Sequence, residues 1–176
     1  MVGSGFKTKG LDRVLLAFAA LPTHIRERSK VYIIGKDNPR FFQKQANKLG
    51  IRKSIHFLGG RHDVPDFFLA ADLLLHPAYN ENTGTVLLEA MASGLPVLTT
   101  DVCGYASYIK DANAGRVLSS PFNQAEFNQT IAHMLLSEDR PHWQKNAIQY
   151  AKQADIYSLP ERAVDYIEAL RMAKSL

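Results

Sequence analysis

Apolar segments of two kinds alternate along the chain. The short ones are Val31-Tyr32-Ile33-Ile34 before Gly35, Ser54-Ile55-His56-Phe57-Leu58 before Gly59, Leu73-Leu74-Leu75 before His76-Pro77, Pro96-Val97-Leu98-Thr99-Thr100, and Gly115-Arg116-Val117-Leu118. Short apolar runs bounded by Gly, Pro or Asp predict strands buried on both faces. The longer segments repeat at helical spacing. Leu11, Val14, Leu15, Phe18 and Leu21 fall on one helical face, so 10–21 reads as a helix ended before Pro22. Segments 39–49, 63–71, 84–93, 105–112, 123–136, 141–152 and 160–174 read as further helices. This alternation predicts an α/β fold, a Rossmann-like parallel sheet with helices on both faces.

A doubly wound sheet places a strand ahead of its first helix, and that strand is often central. Here only Met1-Val2 precede Gly3. We therefore expect a chain truncated at its N-terminus, with a natural start on a very short first strand as the alternative. The length of 176 residues fits one domain, 1–176.

Composition narrows the function classes. A hydrophobic fraction of 46% excludes a disordered chain, which lacks the apolar surface to offset its ordering entropy. The single cysteine, Cys103, excludes an internal disulfide framework and a multi-cysteine zinc site, and the histidines show no H-x-x-x-H spacing, so no metal is expected. Cys103 itself reads as buried filler rather than a nucleophile. A net charge of +4 is too weak, and too scattered, for a dedicated nucleic-acid binder. No apolar run reaches the roughly 18–20 residues of a membrane span. Met1–Gly5 does not have the pattern of a signal peptide. The expected location is the cytoplasm. Arg26, Arg28, Lys30, Lys44, Lys48, Arg52 and Lys53 could touch an anionic membrane, although a solvated surface is the simpler reading.

Ligands of open parallel sheets bind beyond the carboxyl ends of the strands. Four loops leave such ends: Gly3–Gly10, Gly59–Val64, Pro77–Gly84 and Asp101–Tyr105. The third carries the most information. A helix starting near Asn82–Gly84 offers unpaired N–H groups and the positive end of its dipole to an anion. Glu81 stands just before that helix, and Glu89 lies about two turns inside it. Glu89 interrupts an apolar run, which argues either for a partner or for a solvent-facing position. In the first loop, Lys7 and Lys9 near a helix start could neutralise a diphosphate, or form a solvated basic turn. This loop holds neither G-x-G-x-x-G nor G-x-x-x-x-G-K-[ST]. Arg61 in Gly59-Gly60-Arg61-His62-Asp63 could stack on a base, contact a phosphate or lie free on the surface. His76, at a strand end, reads as a structural histidine.

The string Asp72-Leu73-Leu74-Leu75-His76-Pro77, then Glu81-Asn82-Thr83-Gly84, then Leu88-Glu89-Ala90-Met91-Ala92-Ser93-Gly94-Leu95-Pro96-Val97 resembles the signature of the family-4 retaining glycosyltransferases. These are GT-B enzymes, with two Rossmann-like domains facing across a cleft. Lys9-Gly10-Leu11-Asp12, Ile33-Ile34-Gly35 and Phe57-Leu58-Gly59-Gly60-Arg61 fall where the family places its other donor-site motifs. The resemblance covers nearly the whole chain and matches the C-terminal, nucleotide-sugar-binding half. Its finer texture, including Val102-Cys103-Gly104-Tyr105-Ala106 and Tyr157-Ser158-Leu159-Pro160-Glu161, is closest to members that add glucose to the heptose region of the lipopolysaccharide core.

The resemblance implies roles. Glu81 would hold the donor sugar's hydroxyls and Glu89 the ribose. Backbone N–H groups of Asn82, Thr83 and Gly84 would cradle the diphosphate, with Lys9 neutralising it as UDP leaves. Arg61 would lie by the uracil, and Gly3, Lys7 and Thr85 complete the donor-binding set. The family often has an arginine where this chain has Thr8, with Lys7 one step away. Glu81 and Lys9 would be the catalytic pair, the donor would be UDP-glucose, and no metal or other cofactor would be needed. The lipopolysaccharide acceptor would bind mainly to the N-terminal domain, which these residues lack, so the chain alone would bind donor and transfer little. The implied location is the cytoplasmic face of the inner membrane, held peripherally. Two other readings stay open: another UDP-sugar-using GT-B enzyme such as an epimerase, and a non-catalytic remnant that kept the fold.

Overall fold

The computed structural model describes residues 1–154 and 164–167. Of the helix expected over 160–174, residues 164–167 are helical and the remainder lies outside the described residues. The strands are β1 (Val31–Ile34), β2 (Ile55–Gly59), β3 (Leu74–His76), β4 (Val97–Thr100) and β5 (Gly115–Leu118). The helices are α1 (Leu11–Ala20), α2 (Thr23–Arg26), α3 (Arg40–Lys48), α4 (Val64–Ala70), α5 (Thr85–Ala92), α6 (Ala106–Asp111), α7 (Gln124–Leu136) and α8 (Arg140–Gln153).

Every strand pairing is parallel, as the alternation predicts. β1 pairs with β2, Val31 opposite Ile55, and β3–β4–β5 form a second set in which Leu74 faces Val97 and Val97 faces Gly115. The short segment ahead of α1 pairs with β1. The Ile34 N–H donates to the Met1 carbonyl at 3.1 Å and the Gly3 N–H to the Ile34 carbonyl at 2.8 Å, around a single parallel bridge between Val2 and Ile34.

Helices cover both faces of the sheet, and β4 shows why. Successive strand side chains point to opposite faces. Leu98 joins the core built by α1, α3 and α7 with β1 and β2, including Leu15, Phe18, Ile33 and Phe127. Its neighbour Val97 joins a second core formed with α4, α5, α6 and α8, including Leu87, Met91, Ile109 and Ala147. All four residues of β4 are buried.

Four local features depart from the sequence pattern. The single turn α2 and a 3-10 turn at Arg52–Ser54 were not anticipated, because one turn is too short to show a period. Arg26, grouped above with surface cations, is half-buried and donates to the carbonyls of Ala19 and Leu21 at 2.9 and 3.4 Å, closing the end of α1. β3 runs one residue further than its apolar run, because His76 sits in the ladder opposite Thr99. That last shift matters for the site.

Candidate functional site

Two cavities stand out. The larger, about 510 Å³, is mostly apolar and lies by the amino ends of β1 and β3, lined in part by Met1, Tyr32, Phe68 and Leu73. The smaller, about 290 Å³, is polar and lined by Ser4, Thr8, Lys9, Asn80, Glu81 and Asn82. It opens at the carboxyl ends of the strands, where ligands of this architecture bind.

At its centre Lys9 and Glu81 form an ion pair through Nζ and Oε2. Their side chains are 19% and 16% exposed, so both are enclosed yet reachable from solvent. The ring of His76 is fully buried, and its Nε2 lies 3.2 Å from the same Glu81 oxygen. Burial pushes the His76 pKa down to about 4, Lys9 adds to that and Glu81 opposes it, so the ring is neutral at pH 7. Burial alone would disfavour ionised Glu81. The hydrogen bond and charge of Lys9, with a smaller contribution from His76, outweigh it and hold the carboxyl below its ordinary range.

Close packing of two loops brings these groups together. Gly3 has φ 110°, and a Cβ there would lie 2.8 Å from Lys9 Cε, so glycine leaves room for the lysine stem. Gly10 has φ 76°, and a Cβ there would fall 2.0 Å from the Pro77 carbonyl oxygen. The Tyr79 N–H donates to the Thr8 carbonyl at 2.8 Å. Arg13 donates to the carbonyls of Pro77 and Ala78 at 3.0 and 2.9 Å. Its guanidinium is sandwiched between the rings of Tyr79 and Phe122, at 3.5 and 3.7 Å from their centroids. The Tyr79 hydroxyl donates to Asp12 at 2.7 Å. From β4, the Thr99 hydroxyl donates to the His76 carbonyl and the Thr100 hydroxyl to the Ala78 carbonyl, both at 3.0 Å.

The next stretch is held from the other side. The Gly104 and Tyr105 N–H groups donate to the carbonyls of Asn82 and Thr83 at 3.1 and 2.9 Å. A Cβ on Gly104 would lie 2.5 Å from the Asn82 oxygen, so this contact also requires glycine. Gly84, at φ 76°, starts α5, and no side chain caps that end. The first turn of α5 therefore has backbone N–H groups that no side chain caps.

The expected residues divide. Lys9, Glu81 and Asn82 line the pocket, Gly3 backs Lys9, and Thr83, Gly84 and Thr85 continue from the pocket into α5. Glu89 is exposed and does not line this pocket; with Thr85 and Ala92 it forms the exposed stripe of an otherwise buried helix. Lys7 is exposed outside the lining, whereas Thr8 lines it. Arg61 is exposed, does not line this pocket, and is held by Asp63, Nε to Oδ1 at 2.7 Å and Nη2 to Oδ2 at 2.5 Å. Cys103 is buried 3.3 Å from the Thr99 hydroxyl, and burial pushes its thiol pKa up, as suits filler. The pattern did not single out Arg13, Tyr79 or Phe122. The segment that holds Arg13's partners lies more than sixty positions away, and no local spacing signals that.

A parallel sheet covered on both faces, with an ion pair beside a helix start at its carboxyl edge, defines an α/β domain of the Rossmann-like class. The chain belongs to the family described as glycosyl transferases group 1, whose profile matches residues 1–154. A similar curated protein is the lipopolysaccharide glucosyltransferase WaaG of Escherichia coli K12, 51% identical over 167 residues, or 94% of this chain and 45% of that protein. The crystal structure of a WaaG superposes with a TM-score of 0.91 at 49% identity, covering 94% of this chain and 46% of that one. Anabaena HepE in complex with UDP-glucose shares the fold at a TM-score of 0.80 and 22% identity, over 96% of this chain and 48% of its own. The chain thus spans less than half the length of these relatives.

Proposed function

We propose that this chain is the donor-binding half of a retaining glycosyltransferase that takes glucose from UDP-glucose and adds it to the heptose region of the lipopolysaccharide core. The observation that carries the reading is the Lys9–Glu81 pair, which stands in a polar pocket at the start of α5. The uncapped helix end and Lys9 supply positive charge where a diphosphate leaving group gathers negative charge. Glu81 supplies a carboxylate suited to sugar hydroxyls. In this reading Glu89 and Thr85, which share an exposed stripe of α5, take the ribose, and Arg61 gives up Asp63 for the base. Similarity to WaaG supports the lipopolysaccharide acceptor. A diphosphate balanced by lysine and a helix end needs no metal. Donor and acceptor meet when this half works with an N-terminal domain, at the cytoplasmic face of the inner membrane.

The test is calorimetric titration of UDP and UDP-glucose into the chain. Both should bind equally well with and without a chelator. Lys9→Ala should weaken UDP by about 10- to 100-fold, the scale of one charge-assisted phosphate contact, and Glu89→Ala should weaken it about tenfold through the ribose. A folded chain that binds neither compound would overturn the reading.

A further inference from the structure

The histidine beneath the ion pair has an unusual set of contacts. Its ring is fully buried, one nitrogen faces Glu81, and the other, Nδ1, has no hydrogen-bond partner among the described residues. A proton on Nδ1 would bury an N–H donor with nothing to accept it. It would also turn the Nε2 lone pair toward a carboxylate oxygen. A proton on Nε2 makes the one available hydrogen bond and leaves only an acceptor unpaired, the less costly of the two defects. A doubly protonated ring would strand a buried donor and place a cation near Lys9, and burial accordingly keeps the ring neutral at pH 7.

The two partners of Glu81 differ in stiffness. Lys9 reaches it from a loop on a flexible four-carbon stem. His76 is a strand residue paired with Thr99, its carbonyl fixed by the Thr99 hydroxyl at 3.0 Å. Lys9 is also the partner that a diphosphate would recruit. The contact that persists on Glu81 is then the one from below.

We propose that His76 is a positioning residue, whose Nε2–H holds the Glu81 carboxylate in place for the sugar of a bound nucleotide-sugar. This rests on the donor-site reading above.

Two measurements test it. UDP and UDP-glucose are titrated separately into the wild type, His76→Leu and His76→Gln, with folding checked by circular dichroism. Leucine keeps the bulk and removes the donor; glutamine returns an N–H near the Nε2 position. His76→Leu should bind UDP within about twofold of wild type while the ratio of UDP-glucose to UDP affinity falls about tenfold, the scale of a hydrogen bond to a charged group. His76→Gln should recover most of that ratio. An unchanged ratio, an equal loss for both compounds, or no recovery in the glutamine variant would overturn the proposal. The second measurement needs no variant. Long-range ¹H–¹⁵N spectra of the wild type should show the neutral Nε2–H tautomer at pH 7, and an Nδ1–H tautomer or an imidazolium would overturn it. If the wild type binds neither compound, the donor-site reading fails, and the tautomer spectrum alone decides whether His76 holds Glu81.

Discussion

Two residues show how little space and charge the site has to spare. At Gly10 a methyl group would enter the Pro77 carbonyl, and the backbone is in the left-handed region. Gly10→Ala should therefore cost more than about 2 kcal/mol in urea unfolding, from strain and forced loop separation together, and UDP affinity should fall with it. At His76 the consequence is a pH dependence. The ring takes a proton near pH 4 when folded and near 6.5 when unfolded. The unfolded chain thus binds more protons between those values, and stability falls as pH drops from 6.5 to 4, by as much as about 3 kcal/mol. Glu81, with its carboxyl lowered, adds a loss in the same direction as pH falls below its ordinary 4.5. The buried amino group of Met1, lowered from 8.0 to about 5, also loses stability on acidification. Thermal melts of wild type and His76→Leu across pH 4–8 separate these: the slope between 6.5 and 4.5 should shrink in the variant, while the Met1 part remains.

At the scale of elements, the site depends on a clamp from α1 to the loop after β3. Arg13 binds two carbonyls of that loop and lies between two aromatic rings. Arg13→Ala should cost about 2–4 kcal/mol, combining lost charge-assisted hydrogen bonds with lost ring contacts, and should loosen Glu81. Arg61 gives the contrast. Its pair with Asp63, two positions away, is exposed and ties no two elements together. Arg61→Ala should leave the melting temperature within error, so a loss of UDP affinity in that variant would support the proposed base contact and an unchanged affinity would count against it. The strands and the long helices were legible because their apolar spacing is dictated by burial on known faces. Glu81 and Lys9 were legible because charge beside a helix start has a chemical reason to be there. The sandwich of Arg13 was not, since cation and rings come from segments far apart in the chain. His76 was read as structural because a strand-end histidine carries no sign of which carboxylate it meets.

For the molecule as a whole, β4 is the shared wall of two hydrophobic cores. Val97 and Leu98 face opposite ways, and both are fully buried. Loosening either core exposes the same strand, so the β4 amides should exchange with solvent only through global unfolding. Native-state hydrogen exchange should place them at the top of the protection range; faster exchange in β4 than in β2 would contradict a shared wall. The exposed stripe of α5 was the harder feature to foresee. The sequence shows Glu89 within an apolar run, but whether it faces a partner or solvent depends on how α5 rotates against α6 and α8, which no local pattern sets.

The salt bridge between Lys9 and Glu81 also sets a threshold of affinity. Any anion seeking the lysine competes with a carboxylate already bonded to it. A simple ion such as sulfate, bringing charge but little further contact, has only electrostatic attraction to set against that bond. A nucleotide diphosphate brings two phosphates and the contacts of its base and ribose. Breaking that bond costs every anion the same, so it lowers all affinities together: an ion with few other contacts is left too weak to fill the site, whereas a ligand with many contacts keeps enough affinity to bind. In direct titrations, sulfate should bind the wild type weakly and Glu81→Gln more tightly, where the lysine is no longer claimed; equal sulfate affinity in the two would contradict the threshold.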